Sequence, residues 1–99
     1  MLYMILGHEA VGGSSKRAAA RPAHVERLKT LQAEGRLVLA GPRPAIDAID
    51  PAAAGFLGSL IVAEFTDLAS AQLWAAADPY MAAGVFERVD VHPFVKTLP

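Results

Sequence analysis

The chain contains no cysteine, which excludes disulfides, thiolate nucleophiles and cysteine-ligated zinc. Runs of basic residues are also missing: Lys+Arg 9 stand against Asp+Glu 10, for a net charge of −1, so nothing resembles the positive stripe that binds a phosphate backbone. Nucleic acid is therefore not an expected partner. The apolar stretch "LYMIL", Leu2–Leu6, is too short for a membrane span or a secretory leader and has no basic residue ahead of it. The expectation is a soluble, cytoplasmic protein with no membrane partner. Neither a phosphate-cradling glycine loop nor a nucleophile elbow occurs. His8, His24 and His92 share no ligand spacing, so no metal and no other cofactor are expected.

What is present suffices for one core. Hydrophobic residues make up 54% of the 99, enough to bury an interior without staples, so residues 1–99 read as a single domain. Leu2–Leu6, closed by Gly7, reads as a first strand. Ser14 or Ser15 can cap a short helical turn through Ala20. Pro22 suits the first turn of a longer helix over about 22–34, with Gly35 as its left-handed stop. A second strand covers Arg36–Gly41, and the proline-rich Pro42–Gly58 reads as a long loop, a candidate lid or pocket wall. Ser59–Phe65 is a third strand. Asp67 is placed to cap the helix "LASAQLWAAA", while Asp78, Pro79 and Gly84 read as cap, first residue and stop of a further short helix.

The last strand, Val85–Val95, sends Val85, Val89 and Val91 to one face and Phe86, Arg88, Asp90, His92 and Phe94 to the other. The valine face belongs against the helices. The other mixes charge with aromatic groups, which suggests a pocket or a second sheet over it and makes Phe94 a candidate ligand contact. The order β-α-β-β-α-β predicts an α+β, ferredoxin-like sandwich: an antiparallel four-stranded sheet with helices on one face. Strands one to three carry Leu, Ile and Val at both parities, so the bare face is apolar, and a homodimer packed sheet to sheet would cover it.

One residue does not fit simple patterning. From His24 the positions four and seven further on are Leu28 and Leu31, so an imidazole shares the apolar stripe of its helix. Together "KRAAARPAHVERLKTLQAEGRLVLAGP", "GFLGSLIVAEF" and "AADPYMAAGVFERVDVHPF" resemble the YciI-like (YCII-related) family of small bacterial proteins over nearly the whole chain. The resemblance implies a dimeric α+β barrel, in agreement with the sheet argument. It also implies a histidine–aspartate pair associated with acid/base chemistry, which falls on His24 and Asp78. One relative looks like a dehydrochlorinase acting on a chlorinated hydroxyquinone. Neighbouring barrel families include muconolactone isomerases and small monooxygenases.

Imidazole takes and gives a proton near neutral pH, so His24 is the candidate base and Asp78 its orienting carboxylate. Each also has a plain structural account: a core histidine satisfied by a carboxylate, and a helix cap. Arg17 and Arg21 precede His24 by seven and three residues and are candidates to hold an anionic or enolate-like group, if they are not ordinary surface arginines. Gly41 and Pro42, in "AGP", would let a ligand approach the backbone, or simply end the strand. The expected arrangement is a His24–Asp78 pair at the edge of a pocket near the dimer's sheet interface, roofed by Pro42–Gly58. The expected activity is cofactor-free elimination or isomerisation of a small cyclic or aromatic metabolite, a lyase of dehydrochlorinase type or an isomerase. The alternative is a non-catalytic dimeric module that binds a small molecule or a protein, in which the pair only locks the helices together.

Overall fold

A computed structural model describes residues 1–99. The elements are β1 (Leu2–Glu9), α1 (Arg17–Ala33), β2 (Leu37–Pro44), β3 (Phe56–Glu64), α2 (Leu68–Ala76), α3 (Pro79–Ala82) and β4 (Phe86–Phe94), with 3-10 turns at Gly13–Lys16 and Ala52–Ala54. The sheet order is β2-β3-β1-β4 and every neighbouring pair is antiparallel. This is the ferredoxin-like arrangement, its second helical region divided into α2 and α3. No helix is long and apolar enough to cross a membrane.

The division has a local cause. Asp78 precedes Pro79, and a residue before proline is pushed out of the helical region; Asp78 accordingly sits at φ −58°, ψ 130°. Asp67 is extended and accepts from the Ser70 amide at 2.8 Å, which starts α2. Gly35 and Gly84, at φ +73° and +76°, provide the left-handed stops after α1 and α3.

The structure departs from the sequence-based expectation in three respects. The expected break before Pro22 is absent: α1 runs through it from Arg17. Pro22 is still near the helix start, so the ring removes a single early hydrogen bond rather than dividing an established helix. Strand β2 extends through Pro42 and Pro44, and β3 starts at Phe56, which shortens the expected loop to residues 45–55. Prolines are tolerated there because β2 is the sheet edge, where a missing amide forfeits no ladder bond. Finally, Phe86 does not share the face of Arg88. Glu9 pairs with Phe86 but His8 with Arg88, so β4 carries an extra residue and the bulge turns Phe86 toward the helices, where it is buried with Tyr80 and Val85.

Alternate strand residues build the core. Tyr3 and Ile5 of β1 and Ile61 and Ala63 of β3 meet Leu31 of α1 and Ala71 and Ala75 of α2, with Phe65 closing one end. Two alanines four apart bring the α2 backbone down onto the sheet. The opposite face pairs Met4 with Val62 and Leu6 with Leu60, flanked by exposed Val38, Leu39 and Phe94. Its other end is polar: His8 Nε2 lies 2.7 Å from Asp90 Oδ2. That bond and the Arg88 and His92 charges hold the Asp90 carboxyl below its ordinary range.

Candidate active site

Helix α1 crosses the sheet with His24 on its inner face, where the histidine is only 7% exposed. Its Nδ1 lies 2.8 and 2.9 Å from the two Asp78 carboxylate oxygens. Asp78 reaches it from the start of α3, 54 residues on, while its Oδ1 also accepts from the Tyr80 amide at 2.9 Å. One carboxylate thus caps a helix and orients an imidazole. Because an ionised carboxylate only accepts, it holds the proton of neutral His24 on Nδ1 and leaves Nε2 as the basic nitrogen.

Aromatic packing fixes the ring plane. Tyr80 stacks on His24 at 3.9 Å between centroids and 7° between planes, and Phe86 stands edge-on to His24 at 6.5 Å. The buried Tyr80 phenol is pushed up in pKa by desolvation, against the pull of the Arg17 and Arg21 guanidinium groups.

Beside this pair a cavity of about 340 Å³ opens between α1 and the sheet, walled by Arg21, His24, Leu28, Gly41, Ser59 and Tyr80 among others. A cavity of this size accommodates a small cyclic molecule. Arg17, Arg21, His24, Gly41 and Pro42 all line it, with Asp78 behind His24. Phe94 does not reach it. That residue lies on the opposite sheet face, beside Met4 and Val38, because the parity of β4 beyond its bulge points it away from the helices. The cavity is on the helix side of the sheet, not at the bare face where the sequence reading placed it. The 45–55 loop does not roof it; Ala40, Gly41 and Pro42 of the lengthened β2 take that position.

Arg17 is not a free cation. Its Nε and Nη2 grip the two Glu9 oxygens at 2.8 and 3.0 Å, and Nη2 also donates to the Gly58 carbonyl at 3.0 Å. The Ser14 hydroxyl donates to Glu9 at 2.8 Å and accepts from the Phe56 amide. The Arg17 guanidinium lies 4.6 Å above the Phe56 ring. This network pins the 3-10 turn, the end of β1 and the start of β3 to the head of α1. Arg27 locks the helices at the other end: it donates to the Trp74 carbonyl at 2.9 Å and covers the Trp74 ring, and burial lowers its pKa.

Sequence reasoning missed Glu9, Ser59 and Tyr80. Glu9 and Arg17 share no element, so no periodicity links them. A signal did exist for Ser59: it has the inward parity of Ile61 and Ala63, which are apolar. No group of three or more His, Asp or Glu side chains is arranged to hold a metal.

Residues 1–95 match the family model described as the YCII-related domain. The protein YciI of Escherichia coli O6:H1 (strain CFT073) is 55% identical over 96 residues, covering 97% of this chain and 98% of that protein. A Haemophilus influenzae protein is 50% identical over the same length, with the same coverage. Among solved structures, the 5-chloro-2-hydroxyhydroquinone dehydrochlorinase TftG from Burkholderia phenoliruptrix AC1100, in complex with 2,5-dihydroxybenzoquinone, superposes with a TM-score of 0.81 at 24% identity, covering 96% of this chain and 94% of that one. At that identity the likeness establishes a shared fold.

Proposed function

The chain therefore belongs to the YCII-related family, and we propose that it is an enzyme using the His24–Asp78 pair for cofactor-free acid/base chemistry on a small cyclic or aromatic metabolite. One observation carries this reading: an imidazole whose Nδ1 is committed to a buried carboxylate forms part of the wall of a cavity large enough for a ring. In the reaction, Nε2 takes a proton from an acidic carbon or hydroxyl of the substrate. The electron pair left behind forms a double bond as a leaving group departs, which is elimination, or the same nitrogen returns the proton to a different carbon, which is isomerisation. Asp78 stabilises the imidazolium and the stacked Tyr80 holds its plane, so little reorganisation accompanies transfer. That a protein of the same fold is named a dehydrochlorinase supports elimination as the first chemistry to test.

Sheet-to-sheet pairing of two copies is part of the same proposal. Met4, Leu6, Leu60 and Val62 form an apolar face that a second copy would cover, completing a barrel.

The test is a panel of cyclic acids and haloaromatics followed by absorbance and by halide release. Wild type should turn over at least one class, and His24→Gln should lose on the order of 10²–10⁴ of that rate with an unchanged oligomeric state. Equal rates in wild type and His24→Gln would reject the dyad as catalyst. Asp78 also caps α3, so no turnover by wild type, together with a sharp loss of stability in His24→Gln, would favour a binding module in which the pair is a structural lock.

A further inference from the structure

The cavity beside His24 has a one-sided charge. Arg21, Lys29 and Arg17 line it, and no carboxylate side chain does, although the whole chain carries a net charge of −1. Arg17 is neutralised by Glu9. Arg21 and Lys29 take part in no ion pair. Arg21, Val25 and Lys29 follow one another at intervals of four on α1, so both cations lie along the rim of the cavity. Arg21 is one turn from His24, and its charge is felt at the Tyr80 phenol.

The far wall carries a second polar group. Ser59 of β3 is only 4% exposed, lines the cavity, and its hydroxyl has no hydrogen-bond partner in the protein. Its neighbours across the sheet, Gly7 and Pro42, offer no polar side chain. A buried hydroxyl without a partner is unfavourable unless something else meets it. Val25, Leu28 and Ile61 contribute apolar surface to the same lining.

We infer that this cavity selects a hydroxy- or oxo-substituted monocyclic carboxylate, with the carboxylate held at the rim by Arg21 and the ring oxygen by the Ser59 hydroxyl. The inference rests on the catalytic reading only in assigning this ligand as substrate; the binding site stands on its own geometry. Lys29 adds to the field at the rim, and the apolar walls clasp the ring between the two polar anchors. A carboxylate here meets a charge-assisted partner, whereas a neutral amide of the same shape meets only a dipole.

The test is an amide-shift NMR titration of the purified protein with the hydroxybenzoate isomers, benzoate and the matching hydroxybenzamides. At low salt the best hydroxybenzoate should bind about tenfold or more tightly than its amide, the lower end for a charge-assisted hydrogen bond. Added salt should shrink that margin. Arg21→Gln should erase most of it, and Lys29→Gln a smaller part. Ser59→Ala should leave the acid-over-amide margin intact and remove the preference for hydroxybenzoate over benzoate. Equal affinity for acid and amide, a margin that survives the Arg21→Gln, Lys29→Gln double variant, or no binding of any carboxylate at millimolar concentration would each overturn the inference. Because binding is read without turnover, the two readings fail separately. Anion-selective binding with no chemistry on any cyclic acid would reject only the catalyst. Turnover of neutral rings with no acid preference would reject only the anion site.

Discussion

Replacing Asp78 by alanine and by asparagine separates what its carboxylate does for the fold from what it does for His24. Asp78 makes two kinds of bond from a position only 5% exposed: it accepts from His24 Nδ1 and from the Tyr80 amide. Asp78→Ala removes both. Loss of the cap costs about 1 kcal/mol, and an unsatisfied buried imidazole N–H costs about 1–3 kcal/mol, so the variant should be about 2–4 kcal/mol less stable. In a domain of this size that lowers Tm by at least about 8 °C. Asp78→Asn keeps an oxygen where Oδ1 accepts from Tyr80 and retains a hydrogen-bonding group opposite Nδ1, so its cost should stay within about 1 kcal/mol. The amide, however, can donate as well as accept, and no longer dictates which ring nitrogen carries the proton. Urea unfolding of the three proteins, together with turnover once a substrate is found, measures both effects. Nearly wild-type stability with a large rate loss is expected of Asp78→Asn. Equal destabilisation by Asn and Ala would refute the division of roles.

Other perturbations probe the scaffold. Arg17→Ala strands the Glu9 carboxylate, whose side chain is 5% exposed, and should cost about 3–5 kcal/mol in urea unfolding; adding Glu9→Gln should recover part of that loss. Gly58 lies at φ +150°, where a Cβ would overlap the Gly7 carbonyl oxygen. Gly58→Ala should abolish folding by circular dichroism, while Gly35→Ala, at φ +73° with open space around it, costs only about 1–2 kcal/mol. The Asp90 carboxyl is held below its ordinary value of 3.8, first by the His8 hydrogen bond. A depressed carboxylate stabilises the fold above its unfolded pKa and loses that contribution as pH falls through the folded value. Wild type should therefore exceed Asp90→Asn in stability at neutral pH, with the gap closing in acid below pH 3.8; a gap independent of pH would contradict the assignment.

The fold was largely legible because its local signals agree with one another. Gly35, Gly84, Asp67 and the Asp78–Pro79 pair each mark a boundary through their own backbone chemistry, and the structure places a helix end or start at each. Legibility failed where a tertiary setting overrides local preference. Pro42 and Pro44 read as loop residues but lie in an edge strand, and edge position is a property of the whole sheet. Likewise the bulge that turns Phe86 inward depends on its pairing with β1, which strict alternation along β4 cannot reveal. His24 and Asp78 stood out as an imidazole in an apolar stripe and as a helix cap. The pairing of Arg17 with Glu9 did not, since it joins two ends of a connection with no repeating pattern. The cavity's position was misread for a related reason: the bare sheet face is visible in strand parity, whereas a gap between α1 and the sheet arises only from how the two pack.

The proposed acid/base role requires Asp78 to hold the proton of neutral His24 on Nδ1, leaving Nε2 free to act as the base. Long-range proton–nitrogen NMR correlation of the neutral His24 ring, recorded in wild type and in Asp78→Asn, tests this directly. A single Nδ1–H tautomer is expected in wild type and a mixture in the variant. A dominant Nε2–H tautomer in wild type would contradict that role, because the nitrogen assigned as base would already carry a proton.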